Sequence, residues 1–378
     1  MAIINYVTEI RFGAGCAAEL SEVSARLGFK RPLIVTDRGV VAAGLIDQLL
    51  DLSPLPAYQV FDGTPANPTE AATRAGVACF LEAQCDGIIA VGGGSSIDLA
   101  KAIAVSARHP GPLKNFAVIE GGLARITAAT VPIIAIPTTA GTGSEVGRGA
   151  IIILDDGRKV GILSPHVIPR VAICDPSLTL SLPPHLTAAT GMDAVAHCIE
   201  TFLAPGFNPP ADGIALDGLR RAWRNLELAF NEPGNIEART QMLSASLQGA
   251  LAFQKGLGCV HSVSHSLGGI DPRLHHGTLN SIMLPAVISF NRGAESVIRE
   301  EKLERLAQAM QLPAQLSVEQ ALADKAAALH LPSGLAQMSV GEELIPSIVA
   351  GALADHSHKT NPREATAEDY VRLIQASF

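Results

Sequence analysis

Gly87-Ile88-Ile89-Ala90-Val91-Gly92-Gly93-Gly94-Ser95-Ser96-Ile97-Asp98-Leu99-Ala100-Lys101 passes from a β-branched run, through three glycines, into a helical pattern. A strand that is apolar on successive positions is covered on both faces, as the strands of a parallel sheet are. A strand, a glycine turn and a helix N-terminus together offer outward backbone N–H groups and a favourable dipole to a phosphate. Three glycines allow a ligand to approach the main chain closely. The third position of G-x-G-x-x-G is Ile97, so the usual dinucleotide fingerprint is absent, and no Gly-Lys-Ser/Thr makes it a Walker loop. A plain βα turn capped by Ser95 or Ser96 explains the same residues.

Working outward, Leu33-Ile34-Val35-Thr36, Val131–Ile136 and Ile151–Leu154 read as further strands. Helical patterns at Ala71–Ala83 and Ile97–Ala107 lie among them, so the first half is doubly wound α/β. After Leu182-Pro183-Pro184 the β-branched runs stop. Leu186–Phe202, Ala211–Phe230, Ile236–Phe253 and Glu301–Met310 read as helices, with Ile282–Ser289 ambiguous. The expected division is an α/β domain over 1–181 and an all-helical domain over 182–378, joined near the proline pair.

Two features reinforce the ligand reading of the glycine turn. The third strand runs into Pro137-Thr138-Thr139-Ala140-Gly141-Thr142-Gly143-Ser144-Glu145, small residues and hydroxyls suited to phosphate and ribose. Asp37 closes the first strand, where a carboxylate accepts from an adenosine ribose hydroxyl and repels a 2′-phosphate. The competing reading of Asp37 is a turn former before Gly39.

The chain has 378 residues, 48% of them hydrophobic, which is enough for a substantial core in two domains and against disorder. Aromatics are 4%, Gly numbers 35, and 28 Lys+Arg against 36 Asp+Glu leave a net charge of −8. No basic run favours nucleic acid, no stretch reaches membrane-helix length, and the N-terminus lacks a secretory pattern. Six scattered cysteines without C-x-x-C read as reduced thiols in a cytoplasmic protein.

Four of eleven histidines lie between 261 and 276: His261, His265, His275 and His276. His261 and His265 are four apart, as are Asp193 and His197 inside an otherwise apolar helical pattern. A carboxylate buried there is costly unless paired or metal-bound. Asp193, His197 and two of the later histidines would suit divalent iron or zinc with positions open to substrate. A lone histidine of this kind is more simply a satisfied core residue; two such pairs in one helical domain are harder to dismiss.

With these motifs the chain resembles the iron-containing (group III) alcohol dehydrogenases along essentially its whole length. The resemblance rests on Gly92-Gly93-Gly94-Ser95 with Asp98 and Lys101, and on Ile136–Glu145. It rests also on Asp175-Pro176, Gly191-Met192-Asp193-Ala194-Val195-Ala196-His197, His261–Gly269, His276-Gly277 and Thr360-Asn361-Pro362-Arg363. It implies a Rossmann-like NAD(P) domain, a helical metal-binding domain of the dehydroquinate synthase-like type, and an active site between them. It implies the metal ligands Asp193, His197, His261 and His276, with His265 as a proton relay. NAD contacts are implied at Asp37, Gly92, Gly93, Gly94, Ser95, Asp98, Thr138, Thr139, Ser144 and Lys159. Fe2+ is the implied metal, with Zn2+ as the alternative, and NADP the alternative to NAD.

Two departures stand out. The family spacing from the relay histidine points to His275, whereas the His-Gly anchor points to His276, which is preferred here. Ser266 replaces the proline common after the relay histidine, which leans toward maleylacetate reductases, relatives that reduce an enoate without metal; the full Asp/His set argues against that branch. A lyase of the dehydroquinate synthase type would need a basic pocket, and a mere nucleotide-binding module would need no open metal site. The expected protein is a cytoplasmic homodimer or larger homo-oligomer acting on a small alcohol or aldehyde. Phe253, Val146 and Gly147 are expected along the substrate wall.

Overall fold

In the computed structural model, residues 8–378 are described. The strands are β1 (Glu9–Phe12), β2 (Leu33–Val35), β3 (Gln59–Phe61), β4 (Ile88–Gly92), β5 (Ile133–Pro137), β6 (Gly149–Ile153), β7 (Lys159–Leu163) and β8 (Val171–Cys174). Six form one parallel sheet in the order β1-β8-β5-β4-β2-β3. Period-two alternation sorts the apolar residues onto its two faces. Ile34, Ile89 and Ile134 pack with Leu20, Leu49 and Ile173 on one side. Val35, Ile88 and Ile133 pack with Phe80, Ile97 and Ile103 on the other.

The expected strand at Ile151–Leu154 exists as β6, but outside this sheet. It pairs antiparallel with β7. Only the turn 154–158 separates the two, with Gly157 at φ +84°, whereas a parallel crossover needs about a dozen residues. The place in the parallel sheet falls instead to β8. The short β1 and β3 form its edges, where three or four residues carry little pattern.

The chain divides into two compact units, one holding 8–139 and Gly143–Ser181, the other holding Leu182–Phe378 with Ala140–Thr142. The second unit is helical. Its principal helices are Pro184–Leu203, Pro209–Asn231, Ile236–Ala252, Cys259–Ile270 and His276–Asn291. Prolines occupy the first turns of the first two, where a missing N–H costs nothing. Asn208 and Asn235 cap the second and third by accepting from Ala211 and Ala238. The ambiguous 282–289 segment lies within His276–Asn291, whose internal Pro285 interrupts the helical signal. Pro184–Leu203 is buried along most of its length, so its polar residues need partners inside the protein.

Within the α/β unit a buried lysine fixes the segment after β5. Lys101 Nζ donates to the Ser144, Gly147 and Gly149 carbonyls at 2.7–2.9 Å and to the Ser144 hydroxyl at 2.8 Å. Asp98 accepts from the Ser144 hydroxyl at 2.5 Å and from Ile151 N–H at 2.9 Å. Burial pushes the Lys101 ammonium down to about 8 even with Asp98 and Glu145 nearby. Lys101→Met should leave these oxygens without their donor and cost roughly 3–5 kcal/mol. Urea unfolding followed by circular dichroism checks this; an unchanged midpoint would show the network to be dispensable.

Candidate active site

The β4 strand ends on Gly92, whose φ of +148° suits glycine. A Cβ there would lie 2.6 Å from Ser96 Oγ and 3.3 Å from Asp37 Oδ2. The helix Gly94–Ser106 begins behind Gly93 with no side-chain cap, leaving first-turn N–H groups for a ligand. Asp37 fulfils the turn reading: Oδ1 accepts from Gly39 and Val40 N–H. Its Oδ2 also accepts from Ser96 Oγ at 3.2 Å, which brings the carboxylate to the glycine turn. Ser95 Oγ donates to the Ala66 carbonyl, and the Thr139 side chain lies 3.3 Å from where a Gly93 Cβ would be. Thr138 N–H donates to Gly92 O, which ties the second loop to the first. Lys159, on β7, donates to Asn67 Oδ1 at 2.8 Å. Asp98 and Ser144 stand one layer behind, in the Lys101 network.

In the helical unit three imidazoles converge on one carboxylate. Asp193 and His197 are one turn apart on Pro184–Leu203, with His197 Nδ1 3.9 Å from Asp193 Oδ2. His261 Nε2 and His276 Nε2 lie 3.9 and 3.7 Å from Asp193 Oδ1. Asp193, His197 and His261 are buried, and each offers one ligand atom within 4.8 Å of the others. The His-Gly pair has a physical reason. A Cβ on Gly277 would lie 2.2 Å from the Ala189 carbonyl oxygen and 3.2 Å from Asp193 Cβ. Only glycine lets the start of His276–Asn291 press against Pro184–Leu203, and the residue before it thereby reaches Asp193. His275 is the N-cap of that helix.

Three supporting residues escaped the sequence reading. Glu200, one turn beyond His197, accepts from His261 Nδ1 at 2.5 Å and from Val260 N–H at 2.8 Å. It therefore orients the imidazole and caps the helix Cys259–Ile270, which has no cap of its own. Burial pushes the Glu200 carboxyl up to about 7, against those backbone hydrogen bonds. Burial, with His197 adjacent, holds His261 well below its ordinary value, so it stays a neutral donor. Asn280, one turn after His276, donates Nδ2 to Asp193 Oδ1 at 2.7 Å. The same Nδ2 lies 3.1 Å from His276 Nε2 and 3.3 Å from His261 Nε2. Asp355 accepts from His265 Nδ1 at 3.0 Å and lies 3.5 Å from His356 Nδ1. Helical spacing could have flagged Glu200 and Asn280; nothing local links Asp355 to a histidine 90 positions away.

These residues fit a divalent metal. One carboxylate and three imidazoles make a donor set for iron or zinc. The positive end of the Asn280 amide stands where the donors converge, while its buried Oδ1 has no partner among the described residues. The electrostatics there are those of a cation site. The glycine turn and the uncapped helix likewise fit a dinucleotide. Phe253 stands beside this set, its ring 5.5 Å from that of His197.

The profile of iron-containing alcohol dehydrogenases matches residues 7–176, and that of the family's C-terminal domain matches 187–378. The chain belongs to the iron-containing alcohol dehydrogenase family. It is an oxidoreductase of the NAD(P)-dependent alcohol dehydrogenase type. It is 58% identical over 382 residues, spanning 100% of both chains, to a 4-hydroxybutyrate dehydrogenase of Cupriavidus necator. Its fold matches a crystal structure of 1,3-propanediol oxidoreductase with a TM-score of 0.91 at 33% identity, over 100% of both chains. It also matches a sulfoacetaldehyde reductase from Bifidobacterium kashiwanohense in complex with NAD+, with a TM-score of 0.87 at 28% identity, over 99% of this chain and 98% of the other. No helix among the described residues is long and apolar enough to cross a membrane.

Glu200→Gln keeps the shape but accepts only one of the two hydrogen bonds, from Val260 N–H or from His261 Nδ1, and it removes the carboxylate charge behind His261. Metal affinity should fall about 10- to 100-fold. Competition with a fluorescent chelator measures it; unchanged affinity would show that Glu200 serves only as a helix cap.

Proposed function

We propose that the chain interconverts 4-hydroxybutyrate and its aldehyde with NAD. The observation that carries the metal-dependent chemistry is the convergence of three imidazoles on Asp193. The full-length relative at 58% identity supports the choice of substrate. In this reading Asp193, His197, His261 and His276 hold the ion, and Glu200 and Asn280 hold Asp193 and His261 in place. The bound cation supplies Lewis acidity at the substrate oxygen, and NAD supplies the hydride acceptor.

His265 moves the hydroxyl proton. Its Nδ1–H is donated to Asp355, so Nε2 is the basic nitrogen of that tautomer. Burial opposes charge on Asp355, yet the neighbouring His265 and His356 hold its carboxyl well below the usual range. Asp355 thus stabilises the imidazolium that forms when Nε2 accepts the proton. In the α/β unit, Gly92, Gly93, Gly94 and Ser95 receive the pyrophosphate on backbone N–H groups. Thr138, Thr139 and Lys159 contribute polar contacts to the dinucleotide, and Asp98 and Ser144 keep that loop in shape. Asp37 receives the ribose hydroxyls and disfavours a 2′-phosphate, hence NAD over NADP.

The test is a pair of variants in NADH-dependent aldehyde reduction, with metal quantified in each. His265→Ala should lower turnover by roughly 10²- to 10⁴-fold while keeping its metal. His261→Ala should lose metal and activity together. Equal metal loss in the two variants would contradict the division of roles. Wild-type activity that survives chelation would favour a maleylacetate reductase instead.

A further inference from the structure

Three imidazoles form a row leading away from the metal donors. The His276 ring, beside Asp193, stacks on His265 with centroids 5.3 Å apart and planes 12° apart. His265 stacks on His356 at 5.7 Å and 21°. Asp355 fixes the far end of the row. Its Oδ2 accepts from His265 and pairs with His356, and its Oδ1 accepts from Ser357 N–H at 2.8 Å. The His356 side chain is 27% exposed, against 6% for those of Asp355 and His265, so it is the open member of the cluster. Its Nδ1 faces Asp355, and its Nε2 has no partner among the described residues.

The segment His356–Thr360 is a 3-10 helix, in which side chains three apart eclipse. Lys359 therefore shares a face with His356, and it is exposed. Burial works against a charged His356, but Asp355 raises its affinity for a proton. A protonated His356 and Lys359 put two cations on one face against the single charge of Asp355, and in that state the far end of the row is anion-seeking.

We propose that His356, assisted by Lys359, binds the terminal carboxylate of an ω-hydroxy acid whose hydroxyl lies at the Asp193–His276 end of the row. This rests on the proposed function and names the residues that select its substrate class. A substrate carboxylate meets the His356 Nε2–H as a charge-assisted hydrogen bond of about 2.7–2.9 Å. The four-carbon chain then lies along the His265 ring, and Nε2 of that ring takes the hydroxyl proton. A neutral alcohol of the same length leaves the His356 donor unmatched and binds less well.

The experiment compares 4-oxobutanoate with butanal, aldehydes of equal length, in NADH oxidation by the intact protein. Wild type should favour 4-oxobutanoate. In His356→Gln the ratio of the two kcat/KM values should fall about tenfold or more, chiefly through KM for 4-oxobutanoate, and His356→Lys should restore most of it. A ratio unchanged in His356→Gln overturns the proposal. So does a second equivalent of metal per chain that His356→Gln loses, which would place a cation among His265, Asp355 and His356. Should the variants fail to fold, inhibition of the wild type decides. Butyrate competing with the aldehyde at much lower concentration than butanamide supports the site, and equal inhibition overturns it. Wild-type activity on butanal without preference for 4-oxobutanoate removes the carboxylate site and leaves the metal-dependent dehydrogenase standing. Inactivity on both aldehydes removes the proposed function as well.

Discussion

The carboxylate of Asp193 sits inside a helix that is buried along most of its length, and the helical unit is arranged around the need to compensate it. An isolated charge in such a place is costly; Asn280 donates to it, and His261 and His276 bring ring nitrogens to the same oxygen, an arrangement that a cation would complete. His197 adds a third imidazole from the same helix. Each of these groups is held in turn. Glu200 fixes His261 while capping its helix, and Gly277 lets the helix carrying His276 and Asn280 come close. The site is therefore inseparable from the packing. The residues that tie these helices together are those whose donor atoms face one another around Asp193.

The α/β unit meets a different constraint, that of leaving bare backbone N–H groups at the end of β4, where we propose that the phosphates bind. A glycine-only turn and an uncapped helix do this without a basic patch, in keeping with the chain's net charge of −8. Lys101 is wholly buried in holding the segment after β5, which it fixes from behind.

Much of this was legible in the sequence because it depends on local patterns. The four central elements of the α/β reading, β2, β4, β5 and the helix after the glycines, are strongly apolar and were placed within a few residues. The Asp193–His197 and His261–His265 spacings marked side chains that share a helix face, because four residues make about one turn. What stayed hidden depends on distant parts of the chain. β8 is four residues long, and β6 announces a strand without announcing its partner. Asp355 meets His265 only through the fold. The choice between His275 and His276 could be framed in the sequence by the adjacent glycine, but its reason is the 2.2 Å that a Cβ on Gly277 would leave to the Ala189 carbonyl oxygen.

The central claim is that Asp193, His197, His261 and His276 together hold one metal ion. The most direct measurement is an anomalous difference map from a crystal of the anaerobically purified, metal-loaded protein, with data collected across the iron and zinc absorption edges. A single peak bounded by the Asp193 carboxylate and the three imidazoles is the result this account predicts. A peak bounded by His275, one lying among His265, Asp355 and His356, or no peak at all would contradict it.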